Sequence, residues 1–444
     1  MERAKLIVKN FGPLKDIEIE VREMVALIGA QASGKSTLAK LLSILEDEDF
    51  RRDEKNTFED ELKKYNILSY LKKDTYISYD NINHFKTSPF SFDYENGSFS
   101  KGTPQRFLSF IKDANNDSSN DKNKIKNTLK TALSAALNEL FITDSIIFSN
   151  IVTNEIEKNK IKSLILKKQI KSFKPDENTA DELLEILEKE KSINNYIELF
   201  EKIIQNFPNL YLFDSIYIPS ERSFLHLIAE NSLGLLNNNV LIPKHLLNSG
   251  QEYQKAIQTI KELPLDIIDK KIKYKREGKT SYIYHNETEK VDLLESASGL
   301  QSVVPILLLV EYSKSLKEKY NFNFVVEEPE LNLYPKAQHE LIKYLVKNCL
   351  FDRKNLILTT HSPFVLASIN NLLLAFDKGK TKPKEVNKII KKESWLDPKN
   401  FIAYELKNGK AKKIMNDKLG QINENMIDNV SDSFSDEFDK LLDL

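Results

Sequence analysis

Cysteine is nearly absent from these 444 residues. Cys349 stands alone, which excludes an internal disulfide and any zinc site built from cysteine pairs. Histidine is scarce as well, and the 6 present show no HNH arrangement. No apolar run reaches the length of a membrane span; the longest, around Val303–Val310, is too short. The opening residues MERAKLIVKNF hold no signal-peptide stretch, so a cytoplasmic protein without a membrane partner is expected. Charge of one sign is also missing: the formal net charge is −1, so contact with nucleic acid would need a local basic patch. Glycine numbers only 12, so a segment that concentrates it calls for a physical reason. What remains, 41% hydrophobic and 30% charged residues, is the make-up of a folded chain long enough for more than one domain.

The chain opens with strand patterns. Leu6–Lys9 is apolar and β-branched, and Ile17, Ile19 and Val21 alternate with charges, around a turn at Asn10–Pro13. Met24–Ile28 is a continuous apolar run, the pattern of a strand buried on both faces. Leu38, Leu41, Leu42 and Leu45 mark a helix behind it. Strand patterning returns between Ile77 and Phe99, with Asn96-Gly97 as a hairpin turn. Residues 105–210 differ: a polar loop gives way to helical spacing through Leu129, Leu133, Leu137 and Leu140, and again from Leu183. That predicts a helical insertion, too short and irregular for a long coiled-coil arm. Beyond it, Ser215–Pro219 reads as a buried strand, Lys271–Tyr284 as a hairpin turning at Glu277-Gly278, and Ser298 to about Lys319 as a helix. Asn323–Val326 and Leu356–Leu358 are two more buried strands. Phe401–Met415 predicts a last hairpin around Asn408-Gly409, followed by an acidic amphipathic helix. Alternating strands and helices give an α/β core with antiparallel additions.

Residues 29–36, GAQASGKS, match G-x-x-x-x-G-K-[ST] between a predicted strand and a predicted helix, the context in which that motif holds phosphate. Its N–H groups aim at phosphate oxygens at a helix N-terminus. Lys35 would neutralise β- and γ-phosphate charge, and Ser36 would ligate Mg²⁺. Gly29, Ser33, Gly34, Lys35, Ser36 and Thr37 are therefore the expected nucleotide ligands, with ATP and Mg²⁺ bound. An acidic pair ends the strand that begins near Asn323. Glu327 is assigned to the metal with Ser36, and Glu328 to the general base that polarises an attacking water. A third strand ends in Thr-Thr-His, which sets His361 at the same strand-end edge, where it would sense or stabilise a γ-phosphate. A second serine–glycine loop, SASGLQ at 296–301, opens another helix. Ser298 would serve there as a plain helix N-cap, or the free N–H groups would cap the outer face of a triphosphate held by a neighbouring copy.

Together these segments resemble the ABC/SMC-type ATPase head, in its OLD-like (AAA-15/AAA-21) branch. The resemblance rests on KNFGPLKDIEIEV, GAQASGKST, YIPSERS at 217–223, SASGLQ, VVEEPELNLYP and LTTHSPFVL, and covers roughly residues 1–100 and 211–375. It implies an α/β P-loop ATPase head of the ABC type with antiparallel β additions and a helical insertion. It further implies a homodimer or higher homo-oligomer with ATP at the interface. Ser298, Gly299 and Gln301 match the signature LSGGQ, with Ala297 for the leading Leu and Leu300 for the second Gly. Asn332, in Glu330-Leu-Asn-Leu, matches the D-loop that crosses between copies. Ser220 or Glu221 stands where such heads carry the Q-loop glutamine. Arg222 is expected to approach the phosphates or the dimer interface, and Lys9 and Asn10 to lie near the adenine.

The expected division is 1–100 for the N-terminal half of the head, 101–210 for the insertion, 211–375 for the C-terminal half, and 376–444 for the hairpin and acidic helix. OLD nucleases continue into a Toprim domain with an early glutamate and a DxD pair. Residues 375–444 show no such pattern, so no nuclease activity of the chain's own is expected. A resemblance to stand-alone ATPase subunits of antiphage systems such as PARIS and Septu implies a sensor or scaffold with slow, Mg²⁺-dependent ATP hydrolysis and a separate nuclease or Toprim-type effector. One competing reading is a DNA-repair or chromosome-maintenance ATPase that clamps DNA. Another is a transporter energy subunit, against which Ser220-Glu221 and the insertion argue. Lys158–Lys174 would track a phosphate backbone or form a solvated helix face. Met426, Val430, Phe434, Phe438 and Leu441 or Leu442 form an apolar stripe expected to bury against the chain's own core, a second copy or an effector.

Overall fold

The computed structural model describes residues 4–47, 50–51, 56–81, 90–102, 213–237, 242–316, 321–350 and 355–443. The expected helical insertion and the basic stretch Lys158–Lys174 lie outside these residues.

Alternation builds the first hairpin. In β1 (Ala4–Phe11) and β2 (Leu14–Val21), Leu6 pairs with Ile19 and Val8 with Ile17, so one face is apolar and the other carries the charges. β3 (Met24–Gly29) is buried at every position, as its unbroken apolar run requires. After α1 (Lys35–Leu45) and α2 (Phe58–Lys64), the strands β4 (Tyr76–Asn81), β5 (Phe90–Glu95) and β6 (Ser98–Gly102) extend an antiparallel meander from β1. Asn96 and Gly97 both take positive φ in its last turn, as their sequence signals. β7 (Phe213–Ile218) leads to α3 (Ser223–Asn237) and α4 (Lys244–Thr259). A separate antiparallel sheet follows, made of β8 (Glu262–Pro264), β9 (Lys273–Glu277), β10 (Thr280–Tyr284) and β11 (Lys290–Asp292). Its lysines Lys273, Lys275 and Lys290 are answered by Glu262 and Glu277. β11 runs through one turn into α5 (Ser298–Ser315), which packs on α3 and α4.

The chain then alternates β12 (Asn321–Glu327), α6 (Pro335–Cys349), β13 (Asn355–Thr360) and α7 (Pro363–Gly379), followed by α8 (Pro383–Ile389). It closes with β14 (Phe401–Lys407), β15 (Lys410–Lys413) and α9 (Met426–Leu442). One sheet of 11 strands gathers most of this, in the order β6-β5-β4-β1-β2-β15-β14-β3-β13-β12-β7. From β14 to β7 the neighbours run parallel. Leu27 faces Thr359 and Thr359 faces Glu327, so β3, β13 and β12 end level at one edge. α1 packs against β12, β13 and β7.

The last hairpin occupies an unexpected place. β14 lies against the full length of β3, inside the sheet rather than beside it, and Phe401, Ile402 and Ala403 are fully buried. Tyr404 ties it to β2: its hydroxyl accepts from the Glu20 N–H at 2.8 Å and donates to the Glu20 carbonyl at 3.2 Å. Burial pushes the Tyr404 phenol up to about 12.

The apolar stripe of α9 does not bury against the chain's own core. Asn425 caps the helix in a reciprocal box with Asp428, Met426 is half-buried, and the Met426 N–H donates to Glu405. Past that first turn the helix leaves the body. Phe434, Phe438 and Leu442 are 65%, 62% and 69% exposed. Among the described residues no helix is long and apolar enough to cross a membrane.

Candidate functional site

The loop after β3 turns sharply into α1. Gly34 has φ 99, and a Cβ there would stand 2.6 Å from Leu14 Cδ2, so both its backbone and its surroundings demand glycine. Lys35 folds back over the loop, and Nζ donates to the carbonyls of Gly29 and Ala30, each at 3.0 Å. Burial lowers its pKa, while Glu328, Glu330 and Glu327 act against that shift and so must lie nearby. Ser33 Oγ is buried and completes no hydrogen bond among the described residues, a donor left over inside the loop. Gly29, Ser33, Gly34, Lys35, Ser36 and Thr37 thus surround one turn of backbone at the start of a helix, where an anion is favoured.

Glu327 is the last residue of β12 and is buried. Burial raises its pKa, and Lys40 with the hydroxyls of Ser36 and Tyr217 pulls it back. Even so, Oε1 completes no hydrogen bond of normal geometry among the described residues. A buried carboxylate oxygen short of a partner, with a serine hydroxyl beside it, fits a small hard cation. No group of three or more His, Cys, Asp and Glu gathers among the described residues, so such an ion would need phosphate and water oxygens as well.

Glu328 has φ +42, although it precedes Pro329, where the ring ordinarily drives the backbone to an extended form. Such a conformation stores about 1–3 kcal/mol and persists only where neighbours enforce it. Its N–H donates to the carbonyl and hydroxyl of Thr359, at 3.0 and 3.2 Å. Its carboxylate then stands 3.4 Å from His361 Nε2, with both side chains partly open to solvent. Glu330 supports the histidine from behind: Oε1 accepts from Thr360 Oγ1 at 2.7 Å and from the His361 N–H at 2.8 Å. Sequence reasoning missed that role, though Glu330 stands in plain view in the EEPE run.

Arg222 does not reach an outer surface. It is wholly buried, because backbone carbonyls take its donors. Ser220 and Glu221 do stay accessible and bond each other at 2.9 Å. The Asn10 amide donates to Asp74 at 2.9 Å, and Lys9 is exposed.

The second serine–glycine loop forms its own cluster. The residue that caps α5 is Ala297, with no side-chain cap, so Ser298 is the exposed first residue of the helix and not its N-cap. Gln301 turns back, and Nε2 donates to the carbonyls of Leu294 and Ser296, each at 2.8 Å. A Cβ on Gly299 would lie 2.7 Å from the Asn332 carbonyl, so this glycine permits close approach of the chain's own 330–333 turn. Asn332 has φ 58 and is exposed. The structure therefore brings the expected site residues together as two groups. One is the phosphate loop with Glu327, Glu328 and His361; the other is Ser298, Gly299, Gln301 and Asn332.

The AAA ATPase domain family, AAA_15, matches residues 1–366. No curated protein matches the chain. Among solved structures, the Smc head domain with an extended coiled coil bound to the C-terminal domain of ScpA, from Pyrococcus furiosus, is similar over 92% of this chain and 95% of that one, at 13% identity and a TM-score of 0.35. The SMC head domain from Thermotoga maritima is similar over 93% and 98%, at 10% identity and a TM-score of 0.36. The Smc head domain with a coiled coil and joint from Pyrococcus yayanosii is similar over 94% and 97%, at 13% identity and a TM-score of 0.36. At such scores the likeness adds no weight to the family match.

Proposed function

This chain belongs to the AAA ATPase domain family, and from that premise we propose that it binds ATP with Mg²⁺ and hydrolyses it at the level strand ends. One observation carries the reading: β3, β12 and β13 deliver Lys35, Glu327, Glu328 and His361 to a single edge. The loop N–H groups and Lys35 would hold the phosphates, with Lys35 exchanging the carbonyls of Gly29 and Ala30 for phosphate oxygens. Ser36 and Glu327 would hold Mg²⁺, whose charge offsets that developing on the transferred phosphoryl group. Glu328 would accept the proton of the attacking water, and His361 beside it would orient the γ-phosphate.

The outer face of the triphosphate would be closed by Ser298 and Gly299 of a second copy, in a homodimer or higher homo-oligomer. The exposed Ser298 at the start of α5, with no side-chain cap on the helix, supports that part. Gln301 and Asn332 would stand beside that nucleotide, Gln301 bracing the lid through the Leu294 and Ser296 carbonyls and the Asn332 carbonyl lying against Gly299. In the cell we infer a sensor or scaffold subunit of an antiphage system, working with a separate nuclease or Toprim-type effector. A full set of ATPase residues without a nuclease pattern in the sequence supports this, as does the uncovered stripe on α9. Phosphate release by the purified chain, with and without Mg²⁺, tests the enzymology. Co-purification with the product of an adjacent gene, and phage plating with and without the pair, test the setting. A chain that releases no phosphate with Mg²⁺ present would refute the enzymatic reading.

A further inference from the structure

Arg222 is the largest fully buried side chain near the site, and it makes no ion pair at contact distance among the described residues. Its guanidinium spans three elements. Nε donates to the carbonyl of Ser302, in the first turns of α5, at 2.9 Å. Nη1 donates to the carbonyls of Glu327 at 2.8 Å and Pro219 at 3.3 Å. Nη2 donates to the carbonyl of Glu328 at 2.8 Å. The lid helix, the end of β7 and the two acidic residues at the end of β12 thus share one planar group.

We propose that Arg222 is a positioning residue that couples α5 to Glu328, so that contact made by Ser298 on a neighbouring nucleotide sets the base for this chain's own. The inference rests on the reading that the strand ends hydrolyse ATP. Its physical basis is rigidity. A guanidinium offers its donors in a fixed fork, so a shift of the Ser302 carbonyl must move either the plane or the Glu328 carbonyl bonded to it. Glu328 is the element able to respond, because its backbone at φ +42 is strained and the extended form is the ordinary one before a proline. Thr359 holds the N–H side of that residue and Arg222 the carbonyl side, so the two ends of Glu328 report to different parts of the fold. Coupling of this kind is reciprocal: a correctly seated Glu328 also favours the closed position of α5.

The test uses the full-length chain with Arg222→Gln and Arg222→Lys. Both should bind ATP with near wild-type affinity and KM, while kcat falls about 10²-fold, since a misplacement of about 1 Å is enough for that loss. Lysine should not rescue, because it reaches one carbonyl at a time. In Arg222→Gly, added guanidinium should restore turnover and methylammonium should not. Hydrogen–deuterium exchange needs no turnover: in each variant the amides of Glu328 and Leu331 should exchange faster together with the first turns of α5. If Arg222→Gln fails to fold by circular dichroism, Arg222→Lys carries the comparison. Unchanged kcat in a folded variant overturns the proposal, as does a parallel loss of ATP affinity and melting temperature. Exchange that quickens at α5 alone overturns it too. A wild-type chain without hydrolysis would instead refute the ATPase reading, with the exchange pattern still deciding whether α5 and Glu328 are tied.

Discussion

Glu328 and His361 meet at the ends of adjacent parallel strands, Oε1 to Nε2 at 3.4 Å, although 33 positions of sequence separate them. The pairing follows from register: Glu327 faces Thr359, so the residues just beyond must converge. Replacing Glu328 with Gln keeps the shape and removes the base. We expect turnover to fall by about 10²–10⁴-fold with ATP binding retained, and closed pairs of chains to accumulate with ATP in light scattering. Hydrolysis at the wild-type rate would contradict the assignment.

Glu327 offers a test on stability. Burial raises its pKa above the ordinary 4.5, so the folded state holds the proton more tightly than the unfolded state does. Its contribution therefore turns unfavourable as pH rises through the raised value, and ionised Glu327 opposes folding at neutral pH without a cation. Glu327→Gln should raise the melting temperature of the nucleotide-free chain at pH 7 and remove the further rise produced by Mg²⁺ with ATP. A lower melting temperature without nucleotide would count against the cation site.

The closing hairpin should be indispensable. Phe401 and Ile402 are fully buried, each worth about 1.5–3 kcal/mol, and β14 covers one edge of β3. A chain ending at residue 400 should be insoluble, whereas one ending at residue 427 should melt close to the full chain. Solubility and calorimetry of the two truncations decide this.

Much of the site was legible because its signals are local. The phosphate loop announces itself by glycine, lysine and serine at fixed spacing between a strand and a helix, and the acidic and histidine strand ends by apolar runs that stop at polar residues. The placement of β14 between β15 and β3 was not legible, since chain order says nothing about which edge a late hairpin joins. Arg222 was misjudged for a related reason. Its partners are backbone carbonyls, which carry no sequence signature, so an arginine in a site-like segment looked outward on paper. Gly299 was read as an approach point for phosphate, and the structure adds a nearer neighbour, the Asn332 carbonyl. The α9 stripe was visible from its spacing, but spacing alone cannot say what covers it.

Acid should weaken the fold through His245. This side chain is buried beside Tyr65 and Tyr217, and burial with the nearby Lys40 lowers its pKa from 6.5 to about 4. With the folded value depressed, the unfolded chain takes up a proton first as pH falls below 6.5. Stability present above that value is then lost toward pH 4, by at most about 3 kcal/mol. His245→Phe should flatten the fall in melting temperature between pH 7 and 5; an identical slope would exclude His245 as its source.

The shared pocket is tested most directly by mixing two inactive chains, Lys35→Ala and Ser298→Arg. If each lid closes on its neighbour's nucleotide, a mixed pair keeps one whole site: the intact phosphate loop of the Ser298→Arg chain under the intact lid of the Lys35→Ala chain. Equal mixing should then restore phosphate release toward a ceiling of about a quarter of wild type, for random pairing in a two-fold dimer. The Arg222 coupling holds it below that ceiling, because the working base belongs to the chain whose own lid is blocked. A mixture no more active than its parts measured alone would contradict the shared pocket.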